Sequence, residues 1–228
     1  MNTKITKRTD LTKVIDELNL KVGVEVGVRQ GHFSEYILAN SHIEKLYSVD
    51  AWMEEQDITL SVRKRCEKGK MDLWHQETIN RLSKFGDRSI IIKDLSANAV
   101  NNFENESLDF IYLDASHIFS GFALDIIYWW DKLKWGGIYA GHDYWRKYRY
   151  STAYVVNGFC MERKQLFLLT TDERKFPQYP PSWWLIKTQR NKDEFVKEFA
   201  KHKEIIKQQQ KEMLENRRIT IDIPYECF

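Results

Sequence analysis

Short apolar runs alternate with amphipathic stretches along most of this chain. Val22–Val26 (VGVEV), Leu46–Val49 (LYSV), Ser89–Ile92 (SIII), Leu108–Leu113 and Gly137–Ala140 are of strand length and are bounded by polar residues or glycine, the pattern of strands buried on both faces. Between them lie segments with helical spacing: Phe33–Ala39, Leu73–Phe85, Ala97–Phe103, and a stretch carrying Phe119, Phe122, Ala123, Ile126, Ile127, Trp130 and Leu133. A first helix follows Asp10, its expected N-cap, with Leu11, Val14, Ile15 and Leu18 as the apolar face. Thr152–Met161 reads as the helix after the fifth strand, and Gln165–Leu169 as a strand beyond it. Trp183–Ile186 (WWLI), after Pro180 and Pro181, reads as an antiparallel strand. Together these elements predict an α/β fold: a doubly wound, Rossmann-like sheet, mostly parallel, with a late antiparallel strand.

Two stretches depart from the alternation. Residues 53–72 are charge-rich and weakly periodic. They read either as a lid inserted at the carboxyl edge of the sheet or as a solvated surface helix. Asn191–Arg217 reads as a long, highly charged C-terminal helix with a thin apolar face of Phe195, Phe199, Ile205, Ile206, Met213 and Leu214, and Ile219–Ile223 alternates like an edge strand. The expected organisation is one domain over residues 1–190, followed by a charged helix and tail over 191–228. A homodimer contact is one use for such a helix.

Composition narrows the classes. The 35 Lys+Arg and 33 Asp+Glu nearly cancel, leaving a formal charge of +2, so no electrostatic case for nucleic acid arises. No apolar run is long enough for a membrane span. The cysteines Cys66, Cys160 and Cys227 lack metal-ligand spacing and are odd in number. With no apolar leader before Lys13, they point to a reducing, cytoplasmic setting. Tryptophan is abundant between Trp129 and Trp184, as a pocket, an interface or ordinary core filling would have it.

Candidate chemistry collects at strand ends. Gly27 and Gly31 flank the first strand–helix turn in an E-x-G-x-x-x-G pattern that begins at Glu25. Glycine there permits positive φ and close approach of a ligand to the backbone. The dinucleotide fingerprint G-x-G-x-x-G is missing, which disfavours a nicotinamide enzyme. Asp50 closes the second strand, where a carboxylate accepts bonds from ribose hydroxyls. Glu25 suits a cationic amino-acid part, and S-adenosylmethionine meets both requirements. The bland reading is a plain turn, with Asp50 as a helix cap.

The second cluster brackets the unit from Ile111 to Tyr144. Asp114 and His117 end one strand; His142 and Asp143 end the next. Parallel strands deliver both ends to one edge of the sheet, where ligands of such folds bind. Asp114, His142 and Asp143 can converge on one divalent cation, Mg²⁺ or Mn²⁺ ahead of Zn²⁺. Alternatively His142 stands behind the ligands, since an imidazole departs from the all-oxygen set a hard ion prefers. His117 is placed to take the proton of an acceptor hydroxyl. Without a metal, Asp114 is a strand-end acid, His117 a helix cap and His142-Asp143 a turn. Tyr144, Trp145 and the basic run Arg146–Arg149 follow as an acceptor wall or as solvated surface.

Val24–Ser34 (VEVGVRQGHFS), Ser48–Trp52 (SVDAW) and Leu113–Tyr144, with its LDASH, WWDKLKWGGIYAGHDY segments, resemble class I S-adenosylmethionine-dependent methyltransferases. The nearest subgroup is the macrocin-type, metal-dependent sugar O-methyltransferases. The resemblance covers roughly Val22–Ile186. It implies that Glu25, Gly27, Gly31 and Asp114 line the methionine end of the cofactor and that Asp50 holds the ribose. It also implies that Trp52 or Leu95 flanks the adenine and that Asp94 and Ser96 bond its edge. The expected activity is metal-assisted O-methylation of a small-molecule or sugar hydroxyl, with Asp114 and His117 as the catalytic pair. Its rivals are a metal-independent N- or O-methyltransferase and a non-catalytic nucleoside-binding module of the same fold.

Overall fold

The computed structural model describes residues 4–53, 69–144, 152–171 and 180–215. Its centre is a sheet in the order β3-β2-β1-β4-β5-β7-β6. The strands are β1 (Val22–Val26), β2 (Lys45–Asp50), β3 (Ser89–Lys93), β4 (Leu108–Leu113), β5 (Leu133–Gly141), β6 (Leu168–Leu169) and β7 (Trp183–Ile186). The first five pair in parallel, while β7 runs antiparallel to both β5 and β6. This is a Rossmann-like, mostly parallel sheet with a late antiparallel strand. The strand order reverses between β1 and β4, the switch point at whose carboxyl edge sheets of this kind bind ligands.

Side-chain alternation sorts the core into two layers. Val24, Val26, Ile111, Leu113 and Tyr139 pack on one face with helices α5 (Phe119–Tyr128) and α6 (Thr152–Glu162). Phe110, Tyr112, Ile138 and Ala140 pack on the other with α1 (Leu11–Glu17) and α2 (His32–Asn40). Helix α3 (Lys70–Leu82) lies beside α2, and the short α4 (Ser96–Ala99) follows β3. Asp109 fastens the start of β1: its Oδ2 accepts from the Lys21 and Val22 N–H groups at 3.0 and 2.9 Å.

Several boundaries differ from the expectations, each for a local reason. Gln165–Leu169 narrows to the two-residue β6, because the Gln165 backbone N–H donates to Cys160 O at 2.7 Å at the end of α6 and not to a strand. Asp10 does not cap α1 with its side chain; it turns back and accepts from the Thr6 and Lys7 N–H groups, both at 3.0 Å. Leu18, Phe119 and Ile127 are exposed, since α1 ends at Glu17 and α5 buries only the stripe through Phe122 and Ile126. Residues 70–72 form the first turn of α3, while the rest of the expected lid, apart from its first residue, Met53, and Gly69, lies outside the described residues. So do the basic run after Tyr144 and the strand expected at Ile219–Ile223.

The C-terminal helix α7 (Lys192–Glu215) covers the edge of the sheet. Gln209 serves as a strand substitute: its Oε1 accepts from Leu169 N at 3.1 Å and its Nε2 donates to Leu169 O at 2.9 Å. Satisfying both groups protects an edge that would otherwise be open to further pairing. Among the described residues, no helix is long and apolar enough to cross a membrane.

Candidate active site

The turn after β1 is built from two positive-φ glycines. Gly27 has φ of 94° and Gly31, the N-cap of α2, has 76°. A Cβ on Gly27 would stand 2.2 Å from the Asp114 carbonyl oxygen. Glycine is therefore demanded here by the passing β4 backbone, whereas the sequence pointed to a ligand's approach. That crossing is itself bonded: Gly27 N donates to Val49 O at 2.8 Å and Asp114 N to Val26 O at 2.7 Å. The ends of β1, β2 and β4 are thus stitched into one edge.

Asp50 organises the turn. Its Oδ2 accepts from the Val28 and Arg29 N–H groups, both at 2.8 Å, and its Oδ1 accepts from Trp52 N at 2.9 Å. Oδ1 keeps lone-pair capacity for a ligand hydroxyl. Helix α3 closes over the loop from outside, with Thr78 Oγ1 donating to Arg29 O at 3.1 Å and Arg81 Nε to Gln30 O at 2.9 Å. These α3 contacts were invisible in the sequence, because they join positions far apart through side chains with no motif.

Glu25 is buried beneath this loop, bonded by the Ser34 hydroxyl, which also meets Ser48 Oγ at 2.7 Å. Burial raises its pKa to about 8, although the Ser34 bond and the Arg8 charge act the other way. A carboxyl with a raised folded-state pKa contributes stability that is complete below its unfolded value and is lost as pH rises through the folded one. Stability of the free protein should therefore fall between about pH 4.5 and 8, with a limiting slope of about 1.4 kcal/mol per pH unit. Glu25→Gln, which mimics the neutral acid, should remove that slope in urea titrations over the part of the window below about pH 6.5, where His117 does not contribute. An unchanged slope would assign the pH dependence elsewhere.

The sequence-predicted adenine contacts occupy varied settings. Leu95 is exposed, whereas Trp52 is buried, with its ring 4.5 Å from His75 and its Nε1 donating to Arg29 O at 2.7 Å. Asp94 Oδ1 accepts from Leu95 N and Asn98 Nδ2. Ser96 Oγ donates to Asp125 at 2.5 Å and accepts from Trp129 Nε1 at 2.9 Å, so in this structure it joins the β3 loop to α5.

The ionisable cluster lies one strand over. Donor atoms of Asp114, His117 and Asp143 fall within 4.8 Å of one another. His117 Nε2 stands 3.6 Å from Asp114 Oδ1 and in ion-pair contact with Asp143 Oδ2. His142 does not join the set; its Nδ1 meets Asp143 Oδ1 at 2.8 Å from behind. Of the expected trio, Asp114 and Asp143 thus stand with His117 in this structure, and His142 lies beside Asp143. The cause is the backbone: Asp143 has φ of 55°, a left-handed conformation that aspartate tolerates. In this conformation its carboxylate faces His117.

Burial disfavours a charged His117, but hydrogen bonds to Asp114 and Asp143 and their charges outweigh it and push the imidazole up to about 10. His142 is raised against the same cost of burial by Asp143 and Asp114. Burial opposes the charge on Asp143 too, yet the two histidines hold it well below the usual carboxylate range. The two neighbouring carboxyl groups thus favour the protonated form of His117 in the free cluster. Such a histidine cannot accept a proton until its own is displaced.

Arg8 completes the edge, and nothing in the sequence marked it. Its Nη1 lies 3.5 Å from Asp114 Oδ2, on the side away from His117.

A doubly wound sheet with a glycine turn at its switch point, an acid closing β2 and an ionisable cluster beyond β4 defines a Rossmann-like domain with its candidate site at the carboxyl edge. A family model described as a methyltransferase domain matches residues 24–144, more than half of the chain, and the chain belongs to that family. No curated protein sequence matches it. Among solved structures, an rRNA methylase from Streptococcus thermophilus is 19% identical, with 78% of this chain and 92% of that one covered at a TM-score of 0.53. An O-methyltransferase from Bacillus cereus in complex with SAH is 14% identical, with 78% and 80% covered and a TM-score of 0.56. Spermidine synthase from Thermotoga maritima is 13% identical, with 91% and 74% covered and a TM-score of 0.54. At these identities the likeness is one of fold.

Proposed function

We propose that the chain is an S-adenosylmethionine-dependent O-methyltransferase that uses a divalent cation to activate a hydroxyl of a small molecule or sugar, in the manner of the macrocin-type subgroup. The observation that carries this reading is the Asp114/His117/Asp143 cluster at the same sheet edge as Glu25, Gly27 and Asp50. The fold is shared with an O-methyltransferase in complex with SAH, but also with an rRNA methylase and a spermidine synthase. The fold therefore leaves the acceptor open, and the cluster argues for a hydroxyl.

The residues fit both groups. Asp50 retains acceptor capacity for a ribose hydroxyl, and Glu25 and Asp114 form an acidic end for an ammonium. Two carboxylates and one imidazole are a donor set for Mn²⁺ or Mg²⁺ ahead of a thiolate-seeking ion. When bound, the cofactor supplies an electrophilic methyl, and a divalent ion lowers the pKa of a hydroxyl beside it. His142 orients Asp143 from behind, as partners of metal-ligating carboxylates do. In this arrangement His117 acts as a ligand, its proton leaving when the ion binds. In the metal-free alternative it is the base, and acts only after losing its own proton to solvent. That second reading is favoured by Arg8 and His117, which already balance the charge of Asp114 and Asp143. Residues 1–190 would then form the catalytic domain, with 191–228 as its appendage.

The test is labelled methyl transfer from S-adenosylmethionine across a panel of hydroxylated sugars and small metabolites, with Mg²⁺, Mn²⁺ or EDTA. Transfer that EDTA abolishes and Mn²⁺ or Mg²⁺ restores is the expected result. Transfer indifferent to EDTA would establish the metal-independent reading.

A further inference from the structure

The segment before α1 places a guanidinium in the acidic end of the site. Arg8 begins the tight turn Arg8–Asp10, which is fastened on both sides. Asp10 accepts from Thr6 N, Thr6 Oγ1 and Lys7 N, and Thr171 N donates to Thr6 O at 3.0 Å, tying the segment to the chain beyond β6. From this anchored turn the Arg8 side chain crosses the ring of Phe33, 4.9 Å from its centroid, at the start of α2. Its head reaches Asp114 and lies in the field of Glu25 and Tyr112.

Charge balance explains part of this placement, since two acids at a sheet edge gain from a cation between them. The ligand proposed for this edge makes a further demand. Its amino-acid end carries an ammonium and a carboxylate on one carbon. Asp114 suits the ammonium, as does Glu25 once a bound cation displaces its proton, but the two then repel the carboxylate, and like charges held close in a partly desolvated site oppose binding strongly. A zwitterion seated there needs a cation within reach of the same two acids. Arg8 is the basic side chain whose charge Glu25 feels, and its planar fork is matched to a carboxylate.

We propose that Arg8 binds the carboxylate of the cofactor's methionine part, which makes the N-terminal segment a wall of the cofactor site and the source of its preference for nucleosides carrying an amino acid. This rests on the S-adenosylmethionine reading above.

The experiment is calorimetry with S-adenosylhomocysteine and with its decarboxylated form, which differs only in lacking that carboxylate. The wild-type chain should prefer S-adenosylhomocysteine. Arg8→Met should weaken it by about 10- to 100-fold, as expected for a lost charge-assisted pair, while the decarboxylated form binds unchanged or tighter. Arg8→Lys should fall between. An equal loss for both ligands, or no loss for either, would overturn the assignment. So would equal affinity of the wild-type chain for the two ligands, a result that decides the matter even if Arg8→Met fails to fold. Binding of neither ligand by the wild-type chain would mark failure of the cofactor reading itself. Binding of both without discrimination would mark failure of the Arg8 assignment alone.

Discussion

Gly27→Ala should destabilise this protein by about 2–5 kcal/mol, the sum of a positive-φ penalty of about 1–2 and an overpacking cost of about 1–3. The added methyl has no flexible neighbour to push aside, because the atoms it meets are the backbone of Asp114 and Ala115, at 2.2 to 2.5 Å. Relief requires β1 and β4 to separate where Asp114 N bonds to Val26 O. Such a loss is a large share of the 5–15 kcal/mol that holds a typical domain together. The urea midpoint of the purified variant measures it, and the effect should persist without any ligand. A loss below about 1 kcal/mol would show that the turn relaxes freely, contrary to the crossing described.

Asp143→Ala should be the most damaging change at the site that leaves the sheet intact. Asp143 holds both histidines, His117 through Oδ2 and His142 through Oδ1. Its removal takes away a candidate ligand and the partner that orients the other groups. Methyl transfer should fall by roughly 10²- to 10⁴-fold, the range for loss of a group governing proton movement. Manganese binding, followed by electron paramagnetic resonance, should fall with it. A second readout is independent of activity. His117, raised to about 10 by its two carboxylates against burial, contributes stability to the free protein that is complete below pH 6.5 and lost as pH rises through about 10. With Asp143 gone the imidazole should titrate closer to its ordinary range by NMR. Retained turnover in this variant would remove the cluster from the chemistry.

The sheet was largely legible because its strands are buried on both faces and therefore read as continuous apolar runs. Trp183–Ile186, set off by two prolines, emerged as β7 with its antiparallel sense. The acids of the site were legible for a related reason, since parallel strands deliver their ends to one edge. Side-chain direction was not. Neighbouring His142 and Asp143 look equally able to ligate in sequence, whereas in the structure Asp143, at positive φ, is the one that meets both His117 and His142. Spacing marked Glu25, Gly27 and Asp50 as candidates, yet the backbone that Gly27 must clear belongs to Asp114, far along the chain. Arg8 went unmarked because a lone arginine before a first helix carries no motif. Its place depends on Asp10 folding back and on Thr171 holding Thr6.

The edge formed by Glu25, Gly27, Asp50 and Asp114 is proposed to bind S-adenosylmethionine, and calorimetric titration with S-adenosylhomocysteine and, separately, with NAD decides it. Stoichiometric binding of S-adenosylhomocysteine and none of NAD is expected, whereas binding of NAD without S-adenosylhomocysteine would overturn the assignment.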